Sequence, residues 1–444
     1  MMLVPKGITG KTVGVLGLGL SGRAAIRSLA AAGAHIFAFD DAIAPHTPND
    51  DLRPAQFAAW QDWPWHDIAL LVISPGIPHH HPTPHPAAAM AADQGIEIVS
   101  EVELALRAQP AAKLVAVTGT NGKSTTTALI GHCLQTAAMP VAVGGNIGAA
   151  ACSLDDPGPD GVLVLEMSSY QLETTPSLAP DVAVILNISP DHLDRHGGMD
   201  GYIAAKAKIL DHIKPDGIAV LGTGDLHVQA LAKRCATRPI DCQIAEPASA
   251  PAAQRQSAAL AGQHNAENAA AAALAATHLG VSLATINAAI ASFESLPHRL
   301  QTVAACGKVR FVNDSKATNG AAAAKALGAF NDIYWVAGGL AKHDGIDPAL
   351  PFLHSVKKAY LIGTAADAFA RSLDGKCPAA ICGDLDTATR SAFNDARTAD
   401  TGGTILLAPA AASFDQFANF GARGDAFANL ARQLCASDNG GQHA

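Results

Sequence analysis

One stretch constrains this chain more than any other: an apolar, β-branched run followed by two close glycines, a lysine and a serine. It spans residues 113–127, with the sequence KLVAVTGTNGKSTTT. The apolar run predicts a buried strand, and the segment from Thr125 to Thr136 predicts a helix. Glycines let backbone N–H groups close on phosphate oxygens, and a helix N-terminus adds partial positive charge. The stretch therefore predicts a loop that holds the phosphates of a nucleotide.

The spacing differs from the usual phosphate loop, which has four residues between its two glycines. Here only two residues separate Gly119 from Gly122. A tight turn with a chance lysine is the alternative, but strand, turn, Lys-Ser pair and helix follow one another in the order that phosphate binding needs. We expect nucleotide contacts from Gly119, Thr120, Asn121, Gly122, Lys123, Ser124 and Thr125.

Two polar side chains follow later strands and belong at the same edge of the sheet. Glu166 ends one predicted strand, and His192 comes shortly after the next. Ligands of open α/β sheets lie beyond the carboxyl ends of the strands, so both side chains would converge on the phosphate loop. There Lys123 can neutralise the outer phosphates, while Ser124 and Glu166 can hold Mg²⁺. An acid that caps a loop and an ordinary loop histidine are the alternatives.

The N-terminal region carries a second glycine-rich turn. A strand over 11–16 leads into GLGLSG at 17–22, a helix over 23–32 and a strand over 35–39 that ends at Asp40. This G-x-G-x-x-G pattern with a later acid favours a Rossmann unit that holds a pyrophosphate over the helix N-terminus. The glycines do not identify the nucleotide, and a turn without a ligand is the alternative.

Strands alternate with helices along the chain, which predicts an α/β protein of three domains. We place the first domain at 1–103, the second at 104–298 and the third at 299–444. The first and third are expected to be Rossmann-like, and the central domain to contain the sheet of a P-loop ATPase.

Composition narrows the class of protein. The net charge of −9 argues against nonspecific binding to nucleic acid or anionic membranes. No apolar run reaches the length of a membrane span, and residues 1–11 lack the layout of a signal peptide. Eight cysteines without a C-x-x-C pair suggest reduced thiols, so we expect a cytoplasmic protein. We also expect a monomer. A histidine-rich loop at 79–85 could bind a metal, but its prolines favour a polar loop.

Two helical segments have ambiguous polar faces. The helix predicted over 202–213 carries Lys206 and Lys208, for which a solvated face is the plain interpretation. The long Ala-rich helix after residue 262 carries Asn265 and Asn268, which are three apart and share a face. Such amides can contact an adenine edge, although helix capping by asparagine is the alternative.

The chain resembles the Mur ligases, the ATP-dependent amide ligases of bacterial cell-wall precursor synthesis. The phosphate loop has that family's own spacing. Its other motifs occur in the same order, namely EMSS at 166–169, NISPDHLD at 187–194, residues 202–206, HNAEN at 264–268, LPHR at 296–299 and NDSKATN at 313–319. Residues 17–22, 74–76 and 413–420 are most similar to family members that add D-glutamate.

The resemblance implies a reaction. ATP would phosphorylate the carboxylate of UDP-N-acetylmuramoyl-L-alanine, and the amine of D-glutamate would displace phosphate from the acyl phosphate. Lys123 and two Mg²⁺ would neutralise the charge, with Ser124 and Glu166 on one ion and His192 on the second. Lys206 falls where the family has a carbamylated lysine that serves Mg²⁺. By the same resemblance, Lys316 would join Lys123, Lys206 and His192 in catalysis.

The resemblance also assigns the substrate contacts. ATP would be held by the phosphate loop, Asn265, Asn268, Arg299 and Asp314. The UDP-substrate would contact Gly17, Leu18, Gly19, Leu20, Ser21, Ser74, Pro75, Gly76, Asn146, Ser168 and Gln171. D-glutamate would contact Thr318, Lys342, Ser413, Phe414 and Phe420. The first domain would then bind the UDP group rather than NAD.

Three alternatives remain at this point. Another amino-acid ligase of the superfamily is the first, although folylpolyglutamate synthases lack a UDP-binding first domain by the same resemblance. An NAD-dependent oxidoreductase would leave the phosphate loop and Glu166 without a role. A nucleotide switch would hydrolyse ATP slowly and without regard to amino acids.

Overall fold

The computed structural model describes residues 2–42, 52, 54–237, 240–294, 296–340 and 345–440. The chain forms two compact units, one of Met1–Gln256 with Asn265–Ser292 and one of Ser257–His264 with Phe293–Ala444. The first unit contains two sheets and the second contains one. Among the described residues, no helix has the length and apolar character needed to cross a bilayer.

The first sheet is fully parallel, and its strand order is β3-β2-β1-β4-β5. Its strands are β1 (Thr12–Leu16), β2 (His35–Phe39), β3 (Ala55–Phe57), β4 (Ile68–Ile73) and β5 (Glu97–Val99). Its helices are α1 (Leu20–Ala31), α2 (Pro86–Asp93) and α3 (Glu101–Arg107). The central strand β1 is buried on both faces, as its continuous apolar sequence predicts. The glycine-rich turn follows β1, where the strand order reverses.

The second sheet is also parallel, with the order β11-β10-β9-β6-β8-β7. Its strands are β6 (Lys113–Thr118), β7 (Val141–Gly145), β8 (Val162–Glu166), β9 (Val182–Ile185), β10 (Ile218–Gly222) and β11 (Asp241–Ala245). Its helices are α4 (Lys123–Thr136), α5 (Ser169–Glu173), α6 (Leu193–His196), α7 (Met199–Ala207), α8 (Leu226–Cys235), α9 (Gln263–His278) and α10 (Leu283–Ser292). Strand β6 lies between β8 and β9, so Glu166 at the end of β8 and the polar residues in the loop after β9 flank the phosphate loop.

Helix α3 joins the two sheets of the first unit. Its Glu103 is fully buried and accepts hydrogen bonds from the Ser177 backbone N–H (3.0 Å) and hydroxyl (2.6 Å). Burial raises the pKa of Glu101, whose Oε2 accepts from the Cys152 N–H at 3.1 Å. One hydrophobic core contains side chains of both sheets, so they fold as one packed body.

The third sheet has the order β12-β13-β17-β14-β15-β16, in which only the edge strand β12 runs antiparallel to its neighbour. Its strands are β12 (Gln301–Cys306), β13 (Val309–Asn313), β14 (Ile333–Gly338), β15 (Val356–Ile362), β16 (Ala379–Gly383) and β17 (Gly403–Leu407). Its helices are α11 (Gly320–Leu327), α12 (Ala366–Leu373), α13 (Leu385–Thr398) and α14 (Phe420–Gly440).

The predicted fold class of an α/β chain with three largely parallel sheets is confirmed. Each sheet lies inside one of the three predicted segments. The limits at 103 and 298 stay predictions, and the first of them falls within α3.

Candidate active site

The phosphate loop leaves β6 at Thr118 and enters α4 at Lys123. Gly122 has a left-handed backbone, with φ of 87°, and a Cβ there would lie 2.3 Å from Asn268 Oδ1. Glycine is therefore required at this position by conformation and by space. Because Gly122 already serves as the N-cap, α4 begins two residues earlier than the predicted start at Thr125.

Asn187, two residues after the end of β9, holds the phosphate loop in shape. Its Oδ1 accepts from the Asn121 N–H at 2.8 Å, and its Nδ2 donates to the Asn121 carbonyl at 3.0 Å. The Asn187 carbonyl also accepts from the Thr120 N–H at 2.8 Å. The sequence prediction gave Asn187 no role, although an amide shortly after a buried strand at this edge was an available signal.

The Lys123 ammonium group lies against its own loop. Its Nζ donates to the carbonyl oxygens of Gly119 and Thr120, both at 2.9 Å. The N–H groups of this turn would hold the phosphates of a nucleotide close by. The Lys123 ammonium group could then exchange the two carbonyl oxygens for phosphate oxygens with only a small movement of its side chain. The role of Lys123 in charge neutralisation stays a prediction.

Ser124 and Glu166 form a buried oxygen pair beside the loop. The Ser124 hydroxyl donates to Glu166 Oε2 at 2.5 Å, and Asn146 Nδ2 donates to Glu166 Oε1 at 3.0 Å. Ser124 is 4% exposed and Glu166 is 2% exposed. The described residues contain no group of three or more His, Cys, Asp or Glu side chains that could hold a metal. One hydroxyl and one carboxylate nevertheless suit Mg²⁺, which takes few protein ligands and completes its shell with phosphate and water oxygens.

Lys206 is buried, so its assignment to a solvated face is wrong. Its side chain is 1% exposed, and Nζ lies 2.9 Å from the Gly119 carbonyl oxygen and 4.7 Å from the centre of the Tyr202 ring. Burial, and then the charge of Lys123, lowers the pKa of Lys206 well below its usual value. Lys208 is exposed, because two residues turn a helix by more than half a circle.

His192 lies at the N-cap of α6 and has a left-handed backbone, with φ of 55°. Its side chain is 41% exposed, and Nε2 lies 3.4 Å from Asp191 Oδ2. The ring packs 5.2 Å from that of Tyr170. A partly exposed imidazole beside a carboxylate can contact a ligand or metal ion.

Asn265 and Asn268 form a pair inside α9. Asn268 Nδ2 donates to Asn265 Oδ1 at 3.0 Å, and both side chains are buried. Since α9 begins at Gln263, Asn265 is not its N-cap and the capping alternative is wrong. The close approach of Asn268 to Gly122 places this amide pair beside the phosphate loop.

The first-sheet turn is braced from two sides. Asp40 Oδ2 accepts from the Leu18 N–H at 2.6 Å, and the Ser74 hydroxyl donates to the Gly17 carbonyl at 3.1 Å. The Asp40 carboxylate thus supports the turn itself, whereas an NAD site would use this acid on a ribose. The predicted UDP-substrate residues Gly17, Leu18, Gly19, Leu20, Ser21, Ser74, Pro75 and Gly76 all follow β1 or β4 at one edge of this sheet.

Ser168 and Gln171 form a capping box at the start of α5. Gln171 Oε1 accepts from the Ser168 N–H at 3.0 Å, and the Gln171 N–H donates to the Ser168 hydroxyl at 3.2 Å. Gln171 is 1% exposed, so its side chain supports the loop after β8. Its predicted contact with the UDP-substrate stays a prediction.

In the second unit, several predicted residues meet beyond β13 and β17. Lys316 Nζ lies 3.9 Å from the centre of the Phe420 ring, and Ser413 is buried. Phe414 is 70% exposed. Burial raises the pKa of Asp314 to about 7, against the lowering effects of the Arg299 charge and of the Leu300 N–H. Lys342 lies outside the described residues, and Thr318 precedes α11 at the same edge.

Arg423, which the sequence prediction missed, connects these loops. It is 1% exposed and donates to Ser315 Oγ and to the Ala411 carbonyl at 3.0 and 3.1 Å. It also donates to the carbonyls of Ser315, Gly338 and Ala412. Burial lowers its pKa to about 10. A basic residue in the first turn of a C-terminal helix gave no sequence signal for burial.

A parallel sheet whose central strand leads through glycines into a lysine and a helix is the arrangement of nucleotide-binding enzymes of the P-loop type. Two family descriptions match the chain: "Mur ligase MurD-like, N-terminal domain" over residues 11–100 and "Mur ligase middle domain" over residues 117–276.

Relatives match over nearly the whole length. The UDP-N-acetylmuramoylalanine–D-glutamate ligase of Caulobacter sp. is 43% identical, covering 96% of this chain and 97% of its own. The enzyme of the same name from Rhodospirillum rubrum is 44% identical, covering 98% of each. The chain therefore belongs to the Mur ligase family, and it is an ADP-forming ligase.

Solved structures agree on the fold. The UDP-N-acetylmuramate–alanine ligase of Thermotoga maritima has a TM-score of 0.59 at 17% identity, covering 96% of this chain and 99% of its own. The MurF ligase of the same organism, in complex with ADP, also has a TM-score of 0.59, at 16% identity, covering 98% and 97%.

Proposed function

We propose that this protein joins D-glutamate to UDP-N-acetylmuramoyl-L-alanine with the hydrolysis of ATP to ADP and phosphate, in peptidoglycan precursor synthesis. The names of relatives more than 40% identical over nearly the full length support this substrate pair. The structural observation that carries the proposal is the buried Ser124–Glu166 pair beside Lys123 and Lys206.

The first step transfers the terminal phosphoryl group of ATP to the substrate carboxylate. A carboxylate is a poor electrophile, and the acyl phosphate supplies a good leaving group. Both reactants are anions, so their approach needs concentrated positive charge. Lys123 supplies part of that charge from the mouth of the loop, and the N-terminus of α4 supplies more.

In the second step, the uncharged amine of D-glutamate attacks the acyl carbon, and phosphate leaves from the tetrahedral intermediate. The ammonium form has no lone pair and must first lose a proton to solvent. The nitrogen loses a second proton as the amide forms, and that proton leaves with phosphate as HPO₄²⁻. The products are the amide, ADP and phosphate, so one ATP is consumed for each bond formed.

Mg²⁺ fits the oxygen pair of Ser124 and Glu166, and a second ion would use His192. When bound, Mg²⁺ adds charge that stabilises the phosphates during transfer. Lys206 fits carbamylation, because only an uncharged amine adds CO₂ and its lowered pKa favours that form. The carbamate would carry the negative charge that a cation accepts, which the lysine cannot do.

The remaining predicted contacts divide by sheet. The first sheet would bind the UDP group at the turn after β1, and Thr318, Lys342, Ser413, Phe414 and Phe420 would bind D-glutamate. ATP and UDP-sugars are cytoplasmic metabolites, and we place the protein in the cytoplasm as a monomer.

The test measures phosphate release from ATP with Mg²⁺ and UDP-N-acetylmuramoyl-L-alanine, adding D-glutamate, L-glutamate or other amino acids one at a time. Release that requires D-glutamate would support the proposal and its stereochemistry. Phosphate release that requires a different amino acid would support ligase activity but change the assigned amino-acid substrate. Phosphate release that does not depend on any amino acid would contradict the assignment.

A further inference from the structure

We propose that Arg195 is a positioning residue that fixes the Ser74–Gly76 turn of the first sheet relative to His192 of the second. The proposal rests on the proposed function, because it concerns the binding of the UDP-substrate. Arg195 is not among the residues predicted to contact ATP, the UDP-substrate or D-glutamate.

The first observation is the reach of Arg195 between the two sheets. Arg195 lies in α6, and its NH1 donates to the Gly76 carbonyl at 2.8 Å. Its NH2 is 3.5 Å from the Pro75 carbonyl. Both acceptors are backbone carbonyl oxygens and not side-chain atoms. The contact therefore restrains the backbone of the turn itself.

The second observation is the support of the guanidinium plane by Tyr170. Arg195 Cζ lies 4.6 Å from the centre of the Tyr170 ring, and the His192 ring lies 5.2 Å from the same ring. One aromatic side chain therefore supports both the arginine that holds the turn and the histidine at the candidate metal site. A shift of Arg195 would change the packing of His192.

A second close approach involves the chain just after the same turn. His79, five residues after Ser74, has its Nε2 3.8 Å from Glu173 Oε2, and Glu173 Oε1 is 3.1 Å from His196 Nδ1. His196 directly follows Arg195 and is buried against Tyr170, with 5.3 Å between the stacked rings. The start of the histidine-rich loop of the first sheet thus lies next to the end of α5.

The proposed reaction explains why the distance between the first-sheet turn and the phosphate loop matters. The UDP end of the substrate belongs to the first sheet, whereas its reacting carboxylate must reach the phosphate loop of the second. An error of about 1 Å in such a geometry can cost about a hundredfold in rate. Arg195 sets the span between the two ends, and it contacts the protein rather than the reacting atoms.

The test compares R195A and R195K in the full-length enzyme with R390A, which removes an exposed arginine from its ion pair with Asp386 in α13. We expect R195A to raise KM for UDP-N-acetylmuramoyl-L-alanine about tenfold or more and to lower kcat, with KM for ATP changed less than about twofold. R195K should recover only part of the activity lost in R195A, because lysine lacks the planar guanidinium group that can reach two carbonyl oxygens at once. Methylguanidinium should partly restore R195A.

A second measurement does not depend on turnover. Amide hydrogen exchange over residues 74–85, without ligand, should be faster in R195A than in wild type and unchanged in R390A. If the wild-type enzyme is active and R195A has the same kinetics and the same hydrogen exchange, the positioning role of Arg195 is wrong and the proposed function still stands. Wild-type enzyme without muramoyl-dependent phosphate release would overturn the proposed function and the assignment of Arg195 to this substrate.

Discussion

The side-chain nitrogen of Lys206 lies 2.9 Å from the carbonyl oxygen of Gly119, inside the protein and under the phosphate loop. This contact puts a lysine with a lowered pKa beside the nucleotide site. A charged lysine would repel Mg²⁺ there, which makes its chemical form decisive.

We expect Lys206→Ala to be inactive, with partial recovery when acetate or another short carboxylate is added, because the variant would lack the negative charge of the proposed carbamate. Phosphate release under saturating substrates measures both effects. Lys208→Ala is the matched control, since Lys208 is exposed on the same segment. Full activity of Lys206→Ala without added carboxylate would return this residue to a structural role.

Lys123→Ala should lower kcat by more than about a hundredfold, because phosphoryl transfer loses the cation that the phosphate loop itself carries. Steady-state phosphate release measures the loss. Lys233→Ala, which removes an exposed lysine from α8, should leave the rate near wild type. A near-normal kcat in Lys123→Ala would remove the phosphate loop from the mechanism.

Glu166→Gln should raise the Mg²⁺ concentration for half-maximal activity at least about tenfold, because the amide keeps the shape but loses the charge. A titration of activity against Mg²⁺ measures the shift. Glu246→Gln changes an exposed glutamate and serves as the control. Identical Mg²⁺ dependence in both variants would argue against a metal at Glu166.

Arg423→Met should destabilise the protein by about 3 kcal/mol, because the carbonyls of Ser315, Ala411 and Ala412 would lose a buried donor. Thermal unfolding should shift down on the order of 5–10 °C. Arg432→Met on the exposed side of α14 is the control. Unchanged unfolding in Arg423→Met would show that the loops keep their shape without it.

Asp314→Asn should change how stability depends on pH. The pKa of Asp314 is raised from 3.8 to about 7, so the folded state holds a proton that the unfolded state has released. Between these values stability falls as pH rises, and the contribution is complete below 3.8 and lost above 7. The difference between wild type and Asp314→Asn, from denaturant unfolding at several pH values, should show this slope. A pH-independent difference would contradict it.

Much of the fold could be predicted because apolar runs and glycines act locally. Strand β2 has the predicted limits and β1 begins one residue later than predicted, because each apolar run ends before a glycine or an acid. Short or half-exposed strands such as β3, β11 and β12 were missed, because their pairing depends on neighbours distant in sequence. The same reason hid Arg423 and Asn187, whose roles arise from contacts across loops.

The site shows the same division. Ser124 and Glu166 could be placed together because both follow parallel strands of one sheet. Lys206 could not be placed from its helix alone, because the burial of α7 depends on its packing against the loop after β6. Only the family resemblance distinguished Lys206 from Lys208 in the sequence.

The pairing of Asn187 with both backbone groups of Asn121 has a thermodynamic consequence. A loop already closed by its own protein has few conformations to lose when ATP enters, so the entropy cost of binding is small. Most of the free energy from nucleotide contacts then remains available as affinity. Replacing Asn187 with alanine should therefore make ATP binding more unfavourable in entropy while leaving the contacts with phosphate in place.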